Sequence, residues 1–354
     1  MSKRITALLL ALVMVFALCA CGNGGNGGNG TSGEDVGDET YTIRIACENS
    51  DSYPATLGLY QMEKYVESHT NGKVQVEVCA SGQLGGEEET LEQVAQGNLE
   101  MAVASFAPVV SYVPEFEVMD IPFVYNSYTE AWMVLDSYVG TNLLDKMEAQ
   151  GLKGMAYMEN GMRQVTSNVS AINSVADFKG VKLRTMQNNN HMESFSALGA
   201  NPTPVAFSEL YISLSQKVVD AQENPIANVT DKKLYEVQKY LSLTNHIYDA
   251  MPLVCNLEFF NSLPQAYQKV VQAGAIYAQE FSRFCNLERE DLILADLADK
   301  YGMQINEVSA DARAEMAKVA QPAVIKLVAK DIGQDAVDQY MNDVKDVLAQ
   351  ISKY

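Results

Sequence analysis

Residues 177–184, Asp-Phe-Lys-Gly-Val-Lys-Leu-Arg, decide the fold because they join a turn to a short apolar strand that ends in an arginine. The strand is predicted over residues 181–185, and a helix is predicted over residues 188–198. In α/β proteins, ligands bind beyond the carboxyl ends of such strands. Arg184 is therefore the first candidate ligand-binding residue, since a guanidinium offers paired donors that match a carboxylate. The alternative is a surface ion pair.

The rest of the chain alternates strands and helices in the same way and predicts an α/β fold. The order of the elements before residue 106 favours a parallel sheet with right-handed crossovers. Strands are predicted at residues 42–47, 73–79, 99–105, 218–223 and 251–260, with helices at 55–69, 86–97 and 207–215 and a turn at 199–202.

Residues 264–301 form the least ordinary segment, because they contain no internal proline and only one glycine, Gly274. Helices average about 11 residues. This segment is either one long strut between two lobes or two helices broken near Gly274. Two further helices are predicted at residues 310–331 and 334–353.

Three motifs accompany the opening stretch: Asn-Gly-Met-Arg-Gln at 160–164, Gly-Ala-Asn-Pro at 199–202 and Gln-Glu-Asn-Pro at 222–225. Together they resemble the solute-binding proteins of tripartite ATP-independent periplasmic (TRAP) transporters, the DctP family, with the sialic-acid-binding branch as the nearest likeness. The resemblance implies a two-lobed periplasmic-binding-protein-like fold with a long helix spanning both lobes. Lobe I is expected to comprise residues 41–160 and 251–288, and lobe II residues 161–250 and 289–354.

The resemblance also implies ligand-binding roles in the second lobe. Arg184 occupies the position of the arginine that grips the ligand carboxylate, and Arg163 that of a second arginine reaching the ligand. Asn224 matches a ligand-contacting asparagine, and Phe207 an aromatic residue that packs on the ligand. The alternatives are an ion pair between domains for Arg163, a turn before a proline for Asn224, and the apolar core for Phe207.

At four further positions that the resemblance places at the ligand, the chain matches the sialic-acid branch once and departs from it three times. Glu87 falls where that branch has an acidic contact. Glu48 stands in place of an asparagine, Ser105 in place of a glutamate, and Gln187 in place of an asparagine after the Arg184 strand. These departures weaken the case for sialic acid itself as the ligand, but not the case for the carboxylate grip.

The first 40 residues are predicted to export and anchor the protein. Residues 1–21 resemble a lipoprotein signal peptide, with Lys3 and Arg4 before an apolar run that is too short to span a bilayer. Cys21 follows a small residue and is the candidate lipidation site. Residues 22–40 are predicted to form a flexible Gly/Asn linker. The alternative is an ordinary secretory signal.

Composition excludes several classes of function. The chain has 354 residues and a formal net charge of −20, which disfavours nucleic acid and anionic lipid as partners. Cys47, Cys79, Cys255 and Cys285 have no metal-ligand spacing and are expected to be buried free thiols. No motif of a hydrolase, metalloprotease, nucleotide-binding or dinucleotide-binding protein is present.

These observations predict an extracytoplasmic, lipid-anchored solute-binding protein, a monomer without cofactor or metal, and not an enzyme. It would capture a uronate, aldonate, sialic acid or C4-dicarboxylate and deliver it to TRAP permease subunits in the membrane. One alternative is a ligand-sensing partner of a membrane receptor kinase. A secreted enzyme acting on acidic sugars and an ABC-type binding protein are weaker alternatives.

Overall fold

The structure is a computed structural model that describes residues 39–351. The predicted signal segment 1–21, the lipidation site Cys21 and nearly all of the linker 22–40 lie outside the described residues, as does the end of the last predicted helix. Within residues 39–351, none of the helices combines the length and apolar character needed to cross a bilayer.

The described residues form ten strands and twelve α-helices, joined by loops and short 3-10 helices. The strands are β1 (Tyr41–Ala46), β2 (Val74–Cys79), β3 (Met101–Val103), β4 (Leu152–Ser167), β5 (Lys182–Thr185), β6 (Asn201–Pro204), β7 (Ala221–Pro225), β8 (Tyr240–Leu243), β9 (Tyr248–Asn256) and β10 (Gln304–Glu307). The helices are α1 (Pro54–His69), α2 (Glu87–Ala95), α3 (Phe106–Val109), α4 (Tyr128–Leu135), α5 (Tyr138–Lys146), α6 (Asn189–Ala197), α7 (Leu210–Ser215), α8 (Ile226–Asp231), α9 (Leu257–Ser262), α10 (Gln265–Asp299), α11 (Ala310–Ile332) and α12 (Gln334–Ile351).

The strands follow the order β2-β1-β3-β9-β4-β7-β5-β6, with β8 and β10 branching from β4. Strand β1 runs parallel to β2 and β3, the first strand group, and β5 runs parallel to β6 and β7, the second strand group. Between them, β9 and β4 pair antiparallel over most of their length, and the end of β4 then pairs with β7. The predicted parallel sheet is confirmed in the first group, the second group is parallel as well, and β4 and β9 carry the chain between the two.

Helix α10 is continuous from Gln265 to Asp299, so the strut prediction is confirmed and the break near Gly274 is wrong. It packs along α1 and β4 and then reaches α8. Gly274 lies where α10 touches α1, and a Cβ atom there would come within 2.8 Å of the Val66 side chain. This glycine therefore permits close helix packing.

Three predicted elements were wrong in detail. Of the turn predicted at residues 199–202, residues 201 and 202 instead begin β6, and prolines are tolerated there because β6 is the edge strand beside β5. Asn224 lies inside β7 and does not follow it. Strand β9 ends at Asn256, whose side chain accepts a hydrogen bond from Phe259 N and caps α9, so residues 257–260 are helical.

The apolar core consists of separate clusters beneath the two strand groups, and α11 packs on both. Met316 and Ala320 join Phe178 and Phe195 beneath the second group. Val324 and Val328, further along α11, belong to the cluster of the first group. Leu297, near the end of α10, belongs to a third cluster around α7 and β8.

A buried ion cluster lies where β4, β7 and β9 meet. Arg163 on β4 donates to the Glu223 carboxylate on β7 at 2.8 Å and to Asp249 on β9 at 2.7 Å. His191 on α6 lies 3.7 Å from Glu223, and Asp120 lies 3.3 Å from the other side of the same imidazole. All five side chains are buried, so their charges must balance locally.

The charges of this cluster set the pKa values of its members. Burial disfavours ionisation of Glu223, but Arg163 and two histidines hold its pKa well below the usual value. Burial alone would lower the pKa of His191, but its contacts with Asp120 and Glu223 raise it to about 9. His191 is therefore expected to carry a proton at neutral pH.

Replacing Gly58 with alanine tests the packing of α1 on α10. A Cβ atom at Gly58 would lie 2.5 Å from the Ala278 carbonyl oxygen, a backbone atom that cannot move aside. We expect Gly58→Ala to lower the unfolding free energy by about 1–2 kcal/mol in urea titrations, although alanine is the better helix former. Lys64→Ala, on the exposed side of α1, is the control. Equal or greater stability of Gly58→Ala would contradict close packing of the two helices.

The raised pKa of His191 predicts a pH dependence of stability. The pKa of His191 is about 9 in the folded state, above the value of about 6.5 in the unfolded state. Protonation of His191 therefore stabilises the folded state fully below pH 6.5, and this stabilisation is lost as the pH rises toward 9. We expect the unfolding free energy to fall between pH 6.5 and 9, and His191→Gln to reduce that slope. His69→Gln, exposed at the end of α1, is the control. The same slope in His191→Gln and the wild type would exclude this role.

Candidate functional site

A cavity of about 230 Å³ lies where the carboxyl ends of the two strand groups face each other. Glu48 and Ser105 line it from the loops after β1 and β3, and Arg184 and Asn224 line it from β5 and β7. The volume is below the roughly 300–1,000 Å³ typical of drug-sized ligands. The site therefore suits a small molecule held by elements of both groups.

Arg184 supplies an unpaired buried cation to this cavity. Its Nε donates to the Val205 carbonyl at 2.8 Å, which fixes the orientation of the guanidinium. Nη1 is buried and has no hydrogen-bond partner. Burial lowers the pKa of Arg184 to about 10, since water is lost from the guanidinium without full compensation by an anion. An anion placed at Nη1 would supply that compensation.

The opposite wall presents two carboxylates. Glu48 Oε2 accepts from the backbone N–H of Glu87, the first residue of α2, at 3.2 Å, while Glu48 Oε1 is buried without a partner. Glu87 Oε1 accepts from both the backbone N–H and the hydroxyl of Ser105, at 3.1 and 3.0 Å. Burial and the nearby Glu48 raise the pKa of Glu87 to about 8.

Phe207 and Gln187 complete the wall around Arg184. The ring of Phe207 is half-buried and faces the Lys232 ammonium at 4.6 Å. Lys232 Nζ also donates to the backbone carbonyl of Glu48 at 3.3 Å. Gln187 is exposed at the rim. The aromatic ring is thus held beside the cavity and not in the interior of a core.

Arg163 occupies a different place from the other candidates. Its side chain is not part of the cavity wall, and its guanidinium pairs with Glu223 and Asp249 in the ion cluster. It reaches the cavity through Asn224, whose Oδ1 accepts from Arg163 Nη2 at 3.3 Å. The structure brings seven of the eight predicted ligand residues to one cavity and leaves Arg163 behind it.

Three asparagines were not predicted to line the cavity. Asn49 Nδ2 donates to Asn228 Oδ1 at 3.0 Å, and Asn228 Nδ2 donates to Asn160 Oδ1 at 3.0 Å. This row joins the loop after β1 to α8 and β4, and so links the two strand groups beside the cavity. Two features of the sequence could have indicated these cavity residues. Asn160 begins the Asn-Gly-Met-Arg-Gln motif, and Asn228 follows the predicted ligand residue Asn224 by four positions.

The described residues hold no group of three or more metal-ligating side chains in a suitable arrangement. The four cysteines within this range are buried and free, as predicted. In residues 39–351, neither a histidine nor a cysteine lines the cavity. The arrangement suits reversible binding of a small anion that carries hydrogen-bonding groups at its other end.

Comparison with known protein families gives one match over most of the chain. Residues 45–331 match the family "Bacterial extracellular solute-binding protein, family 7", also named DctP. The C4-dicarboxylate-binding periplasmic protein DctP of Rhodobacter capsulatus is 31% identical over 287 residues, which cover 80% of this chain and 85% of that protein.

Solved structures give the same assignment. A sugar acid binding protein of Advenella mimigardefordensis, solved with galactonate, superimposes with a TM-score of 0.83 at 32% identity, covering 87% of this chain and 99% of that one. A TRAP periplasmic solute binding protein of Polaromonas sp. JS666, solved with D-erythronate, has a TM-score of 0.81 at 34% identity, covering 85% and 98%. The chain therefore belongs to the DctP family of TRAP solute-binding proteins and has their two-lobed α/β fold.

Proposed function

We propose that this protein captures a small organic acid by pairing the acid's carboxylate with Arg184 between the two strand groups. The observation that carries the proposal is the buried Nη1 of Arg184, which has no partner. A buried, unpaired charge is costly, and a bidentate carboxylate relieves that cost with matched geometry. Asn224 and Phe207 would fix the position of the bound acid beside Arg184.

The relatives support this class of ligand. Galactonate and D-erythronate, bound by the two solved relatives, are both carboxylates, and the Rhodobacter relative is named for C4-dicarboxylates. A shared carboxylate group is the feature that Arg184 would recognise. The other end of the ligand would then face Glu48, Glu87 and Ser105.

Binding would be coupled to closure of the two lobes. Besides the asparagine row, the backbone N–H of Ser50 donates to Asp231 at 3.3 Å, and Lys232 bridges to the Glu48 carbonyl. These contacts bring the loop after β1 against α8 beside the cavity. A ligand that touches both walls would stabilise this closed arrangement. We assign lobe I to residues 41–160 and 251–288 and lobe II to residues 161–250 and 289–323, with β4 and β9 crossing between them. Residues 324–351 join lobe I, because Val324, Val328 and Val344 pack in the core cluster of the first strand group.

The closed form would dock on a TRAP permease in the membrane and release the acid there. Family membership supports this role, and the Cys21 motif supports anchoring of the exported protein by lipid at the outer face of the membrane. No chemical conversion of the ligand is required, because the cavity provides hydrogen bonds and charge pairing alone.

The carboxylate grip is tested by replacing Arg184 with lysine. Lysine keeps the charge but loses the paired donors and the hydrogen bond to the Val205 carbonyl, so we expect affinity for every acid to fall by about 100-fold or more. Thermal shift with galactonate, erythronate, glucuronate, galacturonate, sialic acid and succinate would identify ligands. Saturation at about 1,000 times Kd adds about 4 kcal/mol of stability. Titration calorimetry would then give the affinities.

Arg313→Lys is the matched control, because Arg313 lies on α11 outside the cavity wall and undergoes the same chemical change. It should bind as the wild type does. Unchanged affinity in Arg184→Lys, or a folded wild type that binds none of these acids, would refute the proposal.

A further inference from the structure

The cavity has one cationic end and one acidic end. Among the described residues that line it, Arg184 is the single lysine or arginine, whereas four glutamates also line it: Glu48, Glu87, Glu88 and Glu89. Arg163 is not available to a second anion, because its guanidinium is paired with Glu223 and Asp249. The cavity wall therefore pairs one ligand carboxylate, and another nearby cation, Lys232, lies outside that wall with its ammonium on the Glu48 backbone carbonyl and over the Phe207 ring.

The acidic end also has a defined hydrogen-bonding direction. Glu48 Oε2 is occupied by the Glu87 N–H, which turns the unpartnered Oε1 into an open acceptor. Ser105 donates both its N–H and its hydroxyl to Glu87 Oε1 and is not free to donate to a ligand. Glu48 Oε1 can thus receive a hydrogen bond, and it matches a ligand end that donates one.

The two carboxylates already repel each other. The pKa of Glu87 is raised to about 8, mainly because the carboxyl group is buried and also because the Glu48 carboxylate lies close to it. Burial also raises the pKa of Glu48, although Lys232 and Arg184 oppose it. Glu48 and Glu87 together therefore carry fewer than two full negative charges at neutral pH. A further carboxylate would have to be desolvated beside charges of its own sign.

We propose that Glu48 and Glu87 make this protein specific for hydroxylated monocarboxylates, such as aldonates, and exclude dicarboxylates. The inference rests on the proposed function and narrows its ligand class. The carboxylate binds at Arg184, and hydroxyl groups at the far end donate to Glu48 Oε1 and to the Glu87 carboxyl group. Hydroxyls fit this wall better than an ammonium group, because Lys232 already places a cation beside Glu48.

Glu48→Gln is the most direct test. The glutamine oxygen can still accept from the Glu87 N–H, so the amide NH₂ then takes the open position and replaces an acceptor with a donor. A hydroxyl ligand loses a charge-assisted hydrogen bond, which corresponds to about tenfold or more in affinity. A dicarboxylate gains a donor and loses a repulsive charge, so its affinity should rise by a similar factor.

The experiment is calorimetric titration of the full chain at pH 7 with D-galactonate, succinate and 4-aminobutyrate. In the wild type we expect galactonate to bind at least 100-fold more tightly than succinate or 4-aminobutyrate. Glu48→Gln should lower the ratio of galactonate affinity to succinate affinity by at least tenfold. Glu87→Gln should lower the same ratio. Glu92→Gln, on the exposed face of α2 and outside the cavity wall, should leave the ratio unchanged.

The outcomes separate this inference from the proposed function. Succinate or 4-aminobutyrate binding within tenfold of galactonate in the wild type would overturn the specificity while leaving the carboxylate grip intact. The specificity would also be overturned if both Glu48→Gln and Glu87→Gln kept the wild-type ratio of galactonate affinity to succinate affinity. The melting temperature of Glu48→Gln would show that this variant is folded. If none of these three acids bound, and none of the acids in the thermal-shift screen bound either, both the proposed function and this inference would be refuted.

Discussion

The pairing of Arg163 with Glu223 and Asp249 is the interaction on which the rest of the site depends. It joins β4, β7 and β9 at the point where the chain passes between the two strand groups. Breaking such a buried pair typically costs about 3–5 kcal/mol, because a desolvated charge is left without compensation. The register of the three strands is therefore held by charge as well as by backbone hydrogen bonds, and Asn224 receives its orientation from the same arginine.

The cluster also determines which arginine remains available. Both arginines are buried, yet only Arg163 has carboxylates within reach of its guanidinium. Arg184 has a backbone carbonyl at Nε and no partner at Nη1. The ion cluster thus neutralises Arg163, whereas Arg184 is left without a counter-ion from the protein and could pair with an anionic ligand. The proposed ligand site and a structural ion pair lie side by side, and they differ in whether the fold supplies the counter-charge.

The sequence predicted the elements whose patterns are local. Strands β1 and β2 alternate apolar and polar residues, and α1 and α6 have helical spacing, so their existence followed from periodicity. Strand β4 was not predicted, because its Glu159, Arg163 and Gln164 look like surface residues in sequence. They are buried because their partners come from distant parts of the chain. Glu223 and Asp249 lie 60 and 86 residues beyond Arg163, and no local pattern reveals such pairing.

The site followed from the sequence to a similar extent. Arg184, Glu48 and Ser105 each sit at or just after the carboxyl end of a predicted strand, and strand direction alone places them on one side of a sheet. The role of Arg163 could not be predicted in the same way. A sequence motif does not distinguish a guanidinium that faces a cavity from one that pairs with a carboxylate behind it. Two neighbouring arginines of similar burial differ in role through tertiary contacts alone.

The overall acidity of the protein fits this division of charge. A chain of net charge −20 repels anions at a distance, but salt screens that repulsion beyond about 8 Å at physiological ionic strength. Within the cavity the nearest charges dominate, and Arg184 is a cation whose charge is weakly screened because it is buried. The carboxylate end of a ligand is therefore attracted only after it enters, and the glutamates at the other end oppose the reverse orientation. Under the proposed function, the two unlike ends of the cavity would fix both the sign of the charge that is bound and the direction in which the ligand lies.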